Sequence, residues 1–207
     1  MLISPQQSEQ WFKDRLGKVT ASRLNDVVSR LKNGDESSAR ANYKSQLVCE
    51  RLTGQIRDQF STPEMRWGAE CESFARSAYE VEKGIIIEQI GFVPHHTIAM
   101  CGASPDGVVG QGIIEIKCLS TKNHIEILLN QEVPNEYLNQ MHWQMACTGK
   151  TWCDFLAFDP RVPETLHMFI KRVERDDDKI KQLEEETIIF LNEIDEKINK
   201  LKNLYSL

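Results

Sequence analysis

The sequence predicts an α/β (α+β) fold in which a helical N-terminal region precedes a central mixed β-sheet flanked by helices, and a long helix ends the chain. Three observations predict it. Residues 1–82 show helical spacing of apolar positions, and residues 83–175 change to short β-type runs separated by Pro, Asp and Gly. Over residues 176–207 the apolar positions recur every three or four residues. With 207 residues, 41% of them hydrophobic, the chain is long enough for a single domain with a sizeable core.

The elements are predicted in order from apolar periodicity and from turn-forming residues. Helices are predicted over Gln7–Lys13, Ala21–Leu31, Ala39–Leu52 and Pro63–Val81. Short strands follow at Gly91–Val93, Ala99–Cys101 and Ile113–Cys118, then helices at Thr121–Leu129 and Pro134–Thr148, and a strand pair at Trp152–Phe158 and Thr165–Val173. The apolar stripe of the last helix, Asp176–Leu204, is expected to pack against the chain's own sheet, with a coiled coil or subunit contact as the alternative.

Composition excludes some classes of protein. The net charge of −6 argues against a protein that coats nucleic acid by bulk attraction. Lys and Arg outnumber Asp and Glu only in residues 1–57, by ten to six, so a polyanion contact is expected there, with solvated helix faces as the alternative. The six cysteines form no C-x-x-C pair, which favours free buried thiols. No membrane span or signal peptide is evident, and we expect a cytoplasmic protein without a membrane partner.

Two neighbouring segments carry a set of charged residues that needs an explanation. Ser104-Pro105-Asp106-Gly107 has the residue order of a β-turn, which is the simplest interpretation of it alone. The strand predicted over Ile113–Cys118 places Glu115 and Lys117 on one face, opposite an apolar face. A Glu–Lys pair on an exposed edge strand is one interpretation. A functional site is the other, because a sheet covered by helices normally buries continuous apolar runs.

A metal site accounts for these residues together. Asp106 at the end of one strand and Glu115 on the next can converge on one divalent cation, and oxygen ligands suit Mg²⁺ or Mn²⁺. The carbonyl of Ile116 is a candidate third ligand. Lys117 would lie beside the metal, where it can orient or deprotonate an attacking water and offset charge on a phosphate. The order Pro-Asp, then Glu-x-Lys, is that of the PD-(D/E)XK nuclease superfamily.

Further segments extend this pattern along the chain. They are Trp11 with Arg15-Leu16-Gly17 and Thr20-Ala21-Ser22, Trp67-Gly68 with Glu72, Ser104–Gly107, Glu115–Lys117, and Tyr137–Gln140. In this order and approximate spacing, the chain resembles the lambda-exonuclease (YqaJ-type viral recombinase) family over nearly its whole length. The resemblance implies a restriction-endonuclease-like core in a single nuclease domain over residues 1–207. Its parts would be a helical DNA-end and 5′-phosphate-binding region (1–82), a catalytic sheet core (83–175) and the C-terminal helix (176–207).

The resemblance also implies catalytic roles outside the strand and turn. Glu72 would join the metal site, whereas Glu70 would point elsewhere on the helix; a solvent-facing carboxylate is the alternative for Glu72. Tyr137 and Gln140 would share a helix face, from which Gln140 would reach the attacking water or Lys117. Tyr137 would belong to the residues that bind DNA. Core packing and a surface amide are the alternatives for these two residues.

A second group of residues resembles the family's site for a DNA end. Arg15, Thr20 and Ser22, with the hydroxyl of Ser104, would bind a 5′-terminal phosphate. Ser22 is also a candidate N-cap of the helix that follows it, and both roles are compatible because a helix N-terminus favours an anion. Met65 would wedge between the strands at the duplex end, although methionine is also a common core residue.

The activity that the resemblance implies is digestion of duplex DNA from its ends. The expected enzyme is a ring-shaped homotrimer that uses Mg²⁺, or Mn²⁺ instead, with two ions in the site. It would degrade the 5′-phosphorylated strand in the 5′-to-3′ direction to mononucleotides, leaving a 3′ overhang for recombination. Its expected partner is a single-strand annealing recombinase. In a ring only the channel needs to be basic, which is compatible with the net negative charge.

Three other functions are compatible with parts of the sequence. One is an endonuclease of the same fold, and another is an exonuclease that also carries an iron–sulfur cluster. The cluster is disfavoured because only Cys147 and Cys153 follow Cys118. The third is a non-catalytic DNA-binding module, against which the intact carboxylates argue.

Overall fold

The computed structural model describes residues 6–56 and 62–206. Its N-terminal part is mainly helical, as the sequence predicts: α1 (Glu9–Arg15), β1 (Val19–Thr20), a 3₁₀ turn (Ala21–Arg23), α2 (Leu24–Val28), α3 (Ser38–Thr53) and α4 (Pro63–Lys83). One helix is shorter than predicted. The segment 21–31 begins as the 3₁₀ turn and its α-helix ends at Val28, because the backbone at Ser29 is extended.

The strands of the described residues form a small sheet and a larger one. The small sheet has the order β1-β3-β2, with β2 (Val93–Pro94) antiparallel and β1 parallel to β3 (Cys101–Ala103). The larger sheet has the order β4-β5-β6-β7, formed by β4 (Gly107–Val109), β5 (Gly112–Lys117), β6 (Trp152–Phe158) and β7 (Met168–Glu174). Only β5 and β6 run parallel, so this sheet is mixed. Strand β7 begins three residues later than predicted, after a 3₁₀ turn over Glu164–Leu166.

Helices cover both faces of the larger sheet. On one face α4 meets the alternate side chains of β5 and β6 in a core that includes Cys71, Ala75, Tyr79, Ile114, Ile116 and Leu156. On the other face α5 (Thr121–Asn130) and α6 (Asn135–Thr148) contribute to a core that includes Ile113, Ile127, Met141, Met145 and Phe155. Because side chains alternate along a strand, Glu115 and Lys117 point to the α6 side.

Helix α7 (Asp177–Tyr205) packs within the chain, but its partners differ from those expected. Its buried stripe shares a core with α2 and α3 and with the small sheet, rather than with the larger sheet: Leu183, Phe190 and Ile194 meet Leu24, Tyr43, Leu47 and Cys101. The rings of Tyr43 and Phe190 stack with their centroids 5.6 Å apart. Helix α6 also contributes Trp143 and Cys147 to this core, so α7 packs against both the N-terminal helices and α6.

The cysteines are free, and one of them lies outside the protein interior. Cys49 on α3 is exposed, so the expectation of buried thiols is wrong at that position. The remaining cysteines are buried, as expected.

Candidate active site

Asp106 is held against strand β5 by the backbone of both segments. Its N–H donates to the carbonyl oxygen of Ile114 at 3.2 Å, and its Oδ2 accepts the N–H of Ile116 at 2.7 Å. The segment Ser104–Gly107 therefore leads directly into β4, which pairs with β5. These contacts fix the Asp106 carboxylate beside the strand that carries Glu115 and Lys117.

Glu115 is the most heavily bonded side chain of the site. It is only 2% exposed. Its Oε1 lies 2.5 Å from Lys117 Nζ and accepts Gln140 Nε2 at 2.6 Å, and its Oε2 accepts Gln144 Nε2 at 2.6 Å. The strand geometry that predicted a shared face for Glu115 and Lys117 is confirmed. Gln140, however, contacts Glu115 and not Lys117 as the resemblance suggested.

The charges in the site influence one another strongly. Burial raises the pKa of Asp106 well above its ordinary value, and the negative charges of Glu115 and Glu72 raise it further. Burial lowers the pKa of Lys117, but Glu115 and Asp106 outweigh that effect and raise it above the ordinary value. The two carboxylates therefore favour the charged form of Lys117, which can offset charge on a phosphate.

Glu72 reaches the same site from helix α4. It lines the cavity that contains Asp106 and Glu115, and its Oε1 accepts Arg76 Nη2 one turn further along the helix at 2.5 Å. Glu70 is exposed and is not among the residues that line this cavity. The choice of Glu72 over Glu70 therefore agrees with the geometry.

Arg15 and Ser104 meet at the edge of this site. Arg15 Nη1 and Trp11 Nε1 both donate to Ser104 Oγ, each at 3.0 Å. The Arg15 guanidinium lies over the Trp11 ring, 4.2 Å from its centroid. Burial lowers the pKa of Arg15 to about 10, so the group stays charged at neutral pH. The Arg15 guanidinium and the Ser104 hydroxyl can therefore bind an anion in the cavity that Asp106 also lines.

Ser22 and Thr20 differ in their position relative to the cavity. Ser22 lines the cavity, whereas Thr20 lies buried in β1 with its N–H donating to the hydroxyl of Tyr43 at 3.2 Å, and is not among the lining residues. Ser22 is not a helix N-cap, because it lies inside the 3₁₀ turn and Arg23 caps the five-residue helix α2. The expectation that Ser22 caps a helix is therefore wrong.

The sequence also predicts site roles for Tyr137 and Met65. Tyr137 packs under the site, with Lys117 Nζ 5.0 Å from its ring centroid and the Phe155 ring stacked 5.4 Å away. Tyr137 therefore contacts Lys117 and the core, and it is not among the residues that line the cavity. Met65 belongs to α4, but its side chain lies outside the described part of the chain.

Apart from Thr20, the remaining predicted residues surround one cavity of about 220 Å³. Its lining is mainly polar and comes from five separate parts of the sequence: Trp11, Arg15, Ala21, Ser22, Glu72, Ser104, Asp106, Glu115, Ile116, Lys117 and Gln140. Two of its residues were given no site role from the sequence, namely Trp11 and Ala21. Gln144, behind the cavity, was also missed, although its spacing of four residues from Gln140 places it on the same helix face.

The donor set fits a hard divalent cation. Within residues 6–56 and 62–206, no three His, Cys, Asp or Glu side chains already stand in a metal-binding arrangement. Mg²⁺, however, needs only one or two protein carboxylates and keeps several waters. The carboxylates of Asp106 and Glu115 and the carbonyl of Ile116 supply hard oxygens, and the repulsion that raises the Asp106 pKa would be relieved by a cation.

The fold and the site define the class of protein. Buried carboxylates and a lysine on a mixed sheet, beside a cation and hydroxyl suited to phosphate, are the equipment of a phosphodiester-cleaving nuclease. The chain belongs to the YqaJ-like viral recombinase domain family, whose profile matches residues 10–151. Nucleases of this kind are generally metal-dependent.

Solved structures of exonucleases are similar to this chain over almost all of its length. Two are structures of LHK-Exo, an alkaline exonuclease from Laribacter hongkongensis, one of them in complex with dAMP; each is 44% identical over 96% of this chain and 98% of that chain, with a TM-score of 0.90. A phage-related exonuclease from Haemophilus somnus 129PT is 15% identical over 89% of this chain and 96% of that chain, with a TM-score of 0.67, which shows similarity of fold alone. No curated protein sequence matches this chain.

These comparisons confirm three predictions made from the sequence. The family is the one that the motifs indicated, the fold is of the restriction-endonuclease-like type with mixed sheet and flanking helices, and the protein is a nuclease. The interpretation as a non-catalytic module loses its support accordingly.

Proposed function

We propose that this nuclease digests linear duplex DNA from its 5′-phosphorylated ends, releasing mononucleotides and leaving a 3′ overhang for recombination. The observation that carries the proposal is the bond between Arg15 Nη1 and Ser104 Oγ. These two residues, for which we propose phosphate binding, line one cavity with Asp106, Glu115 and Lys117. An endonuclease has no need for a terminal-phosphate pocket, since its substrate continues on both sides of the cut. The bound dAMP of the 44% identical relative is a mononucleotide, which agrees with the proposed product.

Each residue of the site has a distinct part in this chemistry. Arg15 and Ser104, with Ser22 beside them, bind the terminal phosphate and so place the first phosphodiester at the carboxylates. Asp106, Glu115 and the Ile116 carbonyl would hold Mg²⁺, with Glu72 nearby; Mn²⁺ is the alternative ion, and we propose two ions.

The ion, when bound, supplies Lewis-acid polarisation of the phosphate and lowers the pKa of a water. Lys117, as a cation beside Glu115, offsets the charge that develops on the scissile phosphate. Gln140 holds Glu115 in place from helix α6.

We further propose that three copies form a ring around the DNA, with residues 1–207 of each copy acting as one nuclease unit. Exposed apolar side chains on and after α4 support an interface: Phe74 is 68%, Val81 84% and Ile86 87% exposed. Phe74 and Val81 are seven positions apart, so they share one face of the helix. Contiguous exposed apolar groups mark interaction sites on proteins. A ring with a basic channel is compatible with the net charge of −6.

We propose that a single-strand annealing recombinase is the partner that binds the 3′ overhang. We also propose that the protein acts in the cytoplasm. Among the described helices, none has the length and apolar character needed to cross a bilayer. The annealing partner follows from the product, since an exposed 3′ single strand must be paired with a complement before recombination.

The test is a time course on one linear duplex labelled at the 5′ end or at the 3′ end of the same strand, with and without Mg²⁺. We expect early release of 5′-labelled mononucleotide, late release of the 3′ label, and no release without the ion. A covalently closed circle of the same sequence is the control and should stay intact. Cleavage of the circle would favour the endonuclease, and early release of the 3′ label would reverse the proposed polarity.

A further inference from the structure

The amide of Gln144 lies wholly buried behind the candidate active site. Its Nε2 donates to Glu115 Oε2 at 2.6 Å, while Gln140, one turn earlier on α6, donates to Oε1 at the same distance. Residues four apart share one face of a helix. The two glutamines therefore hold the two oxygens of a single carboxylate.

The oxygen atom of the Gln144 amide makes this arrangement unfavourable for stability. Its Oε1 is buried, and no group of the described residues donates to it. Buried polar side-chain atoms nearly always have a partner, and leaving one without is destabilising. Because a carboxylate only accepts hydrogen bonds, the NH₂ group must face Glu115, and the oxygen points away from it.

An apolar residue at this position would avoid that cost. The neighbouring positions of α6, Trp143 and Met145, are equally buried and carry large apolar side chains. A methionine in place of Gln144 would fill a similar volume without an unpaired oxygen. Packing alone therefore does not account for the glutamine, whereas its contact with Glu115 does.

We propose that Gln144 is a positioning residue that fixes the orientation of the Glu115 carboxylate and thereby sets the affinity of the site for a divalent cation. This inference rests on the proposed function, in which Glu115 is a metal ligand. Lys117 and Gln140 both contact Oε1 and both line the cavity, so substrate competes for them. Gln144 bonds Oε2 from outside the cavity lining, so substrate does not compete for it. Without it Oε2 would be a buried charged oxygen lacking its donor, and the carboxylate would rotate towards another one.

The experiment measures Mn²⁺ binding to the full chain without DNA, by calorimetry and by the electron paramagnetic resonance signal of free Mn²⁺, beside thermal unfolding. We expect Gln144→Met to weaken binding at least about tenfold, the usual effect of losing a group that orients a metal ligand. Met145→Ala is the matched control, because it removes buried volume from the same helix without touching Glu115. It should lower the unfolding temperature and leave Mn²⁺ affinity unchanged.

A second variant separates the lost donor from disturbed packing. Gln144→His retains an N–H at about the reach of the glutamine Nε2, so it should bind Mn²⁺ within about threefold of the wild type. The inference is overturned if Gln144→Met binds Mn²⁺ as the wild type does, or if the histidine variant is as weak as the methionine variant. In those cases the wild type still cleaves DNA and the proposed function stands. If the wild type neither binds Mn²⁺ nor cleaves DNA, the proposed function fails and this inference with it.

Discussion

Replacing Arg15 by alanine tests the proposed phosphate pocket directly. Its Nη1 donates to Ser104 Oγ at 3.0 Å, and its guanidinium is supported by the Trp11 ring. Burial lowers the Arg15 pKa only to about 10, so the group is cationic when the enzyme works near neutral pH. We expect Arg15→Ala to slow digestion of 5′-phosphorylated ends and to remove most of their advantage over 5′-hydroxyl ends.

The magnitude follows from the kind of bond that is lost. A hydrogen bond to a charged group contributes about 1.5–3 kcal/mol, and about 1.4 kcal/mol corresponds to a factor of ten. The value of kcat/KM for 5′-phosphorylated ends should therefore fall about ten- to a hundredfold. A 5′-hydroxyl end offers no charge to Arg15, so its kcat/KM should change by no more than about threefold.

The assay compares initial rates on two duplexes that differ only in the 5′ phosphate. Arg23→Ala is the matched control, since Arg23 is a nearby cation that pairs with Asp26, lies 4.2 Å from the Tyr43 ring centroid and is not among the residues lining the cavity. It should keep the preference for the phosphate. The assignment is refuted if Arg15→Ala keeps the preference as well, or if both variants lose it equally.

Three other predictions concern the charge in the site, the loop beside it and a buried carboxylate. Lys117→Met should keep the fold but reduce the initial rate of digestion by at least about a hundredfold, because the cation beside the scissile phosphate is lost; a rate within tenfold of wild type would exclude that role. Gly17→Ala should lower the free energy of unfolding in urea by more than Gly34→Ala, since both have positive φ but only at Gly17 would a Cβ meet another side chain, 2.7 Å from Arg51 Cγ. Equal losses would contradict the contact. Burial alone would raise the Asp159 pKa, but hydrogen bonds from an arginine and a threonine lower it to about 2. Because the folded pKa lies below the unfolded one, Asp159 contributes about 1–2 kcal/mol above pH 4 that disappears as the pH falls through 2. Unfolding of Asp159→Asn and wild type across pH 7 to 2 should therefore converge at acid pH, and a constant difference would rule this out.

The part of the site that lies on strand β5 could be predicted from physical rules alone. A period of two puts Glu115 and Lys117 on one face of the strand. The apolar residues on the other face predict that helices cover that face. The bonds between Lys117 and Glu115 and between Asp106 and the β5 backbone agree with that expectation.

Such rules do not predict the contact between Gln144 and Glu115. Helical spacing places it on the same face as Gln140, but nothing in the spacing says which strand that face meets. That depends on how α6 crosses β5, which is a matter of tertiary packing. An internal glutamine flanked by Trp143 and Met145 gives no signal in the sequence that its amide is buried against a carboxylate.

The pairing of Arg15 with Ser104 came from the family resemblance and not from the residues themselves. It depends on the two-residue strand β1, which pairs in parallel with β3 and brings the segment after α1 beside residues 101–104. Two residues are too few to show periodicity. Contacts between positions 89 residues apart therefore had no local signal.

Only a very short piece of chain separates the proposed phosphate pocket from the carboxylates. Ser104, which holds Arg15, and Asp106, which faces β5, have only Pro105 between them. Two residues span at most about 7 Å, and the proline ring limits the backbone further. The side chain of Gln6 also donates to the carbonyl of Pro105 at 2.7 Å. We therefore expect a phosphate bound at Ser104 to lie close to Asp106. In the proposed function, where Ser104 helps to bind the terminal phosphate, this short separation agrees with release of one nucleotide at a time.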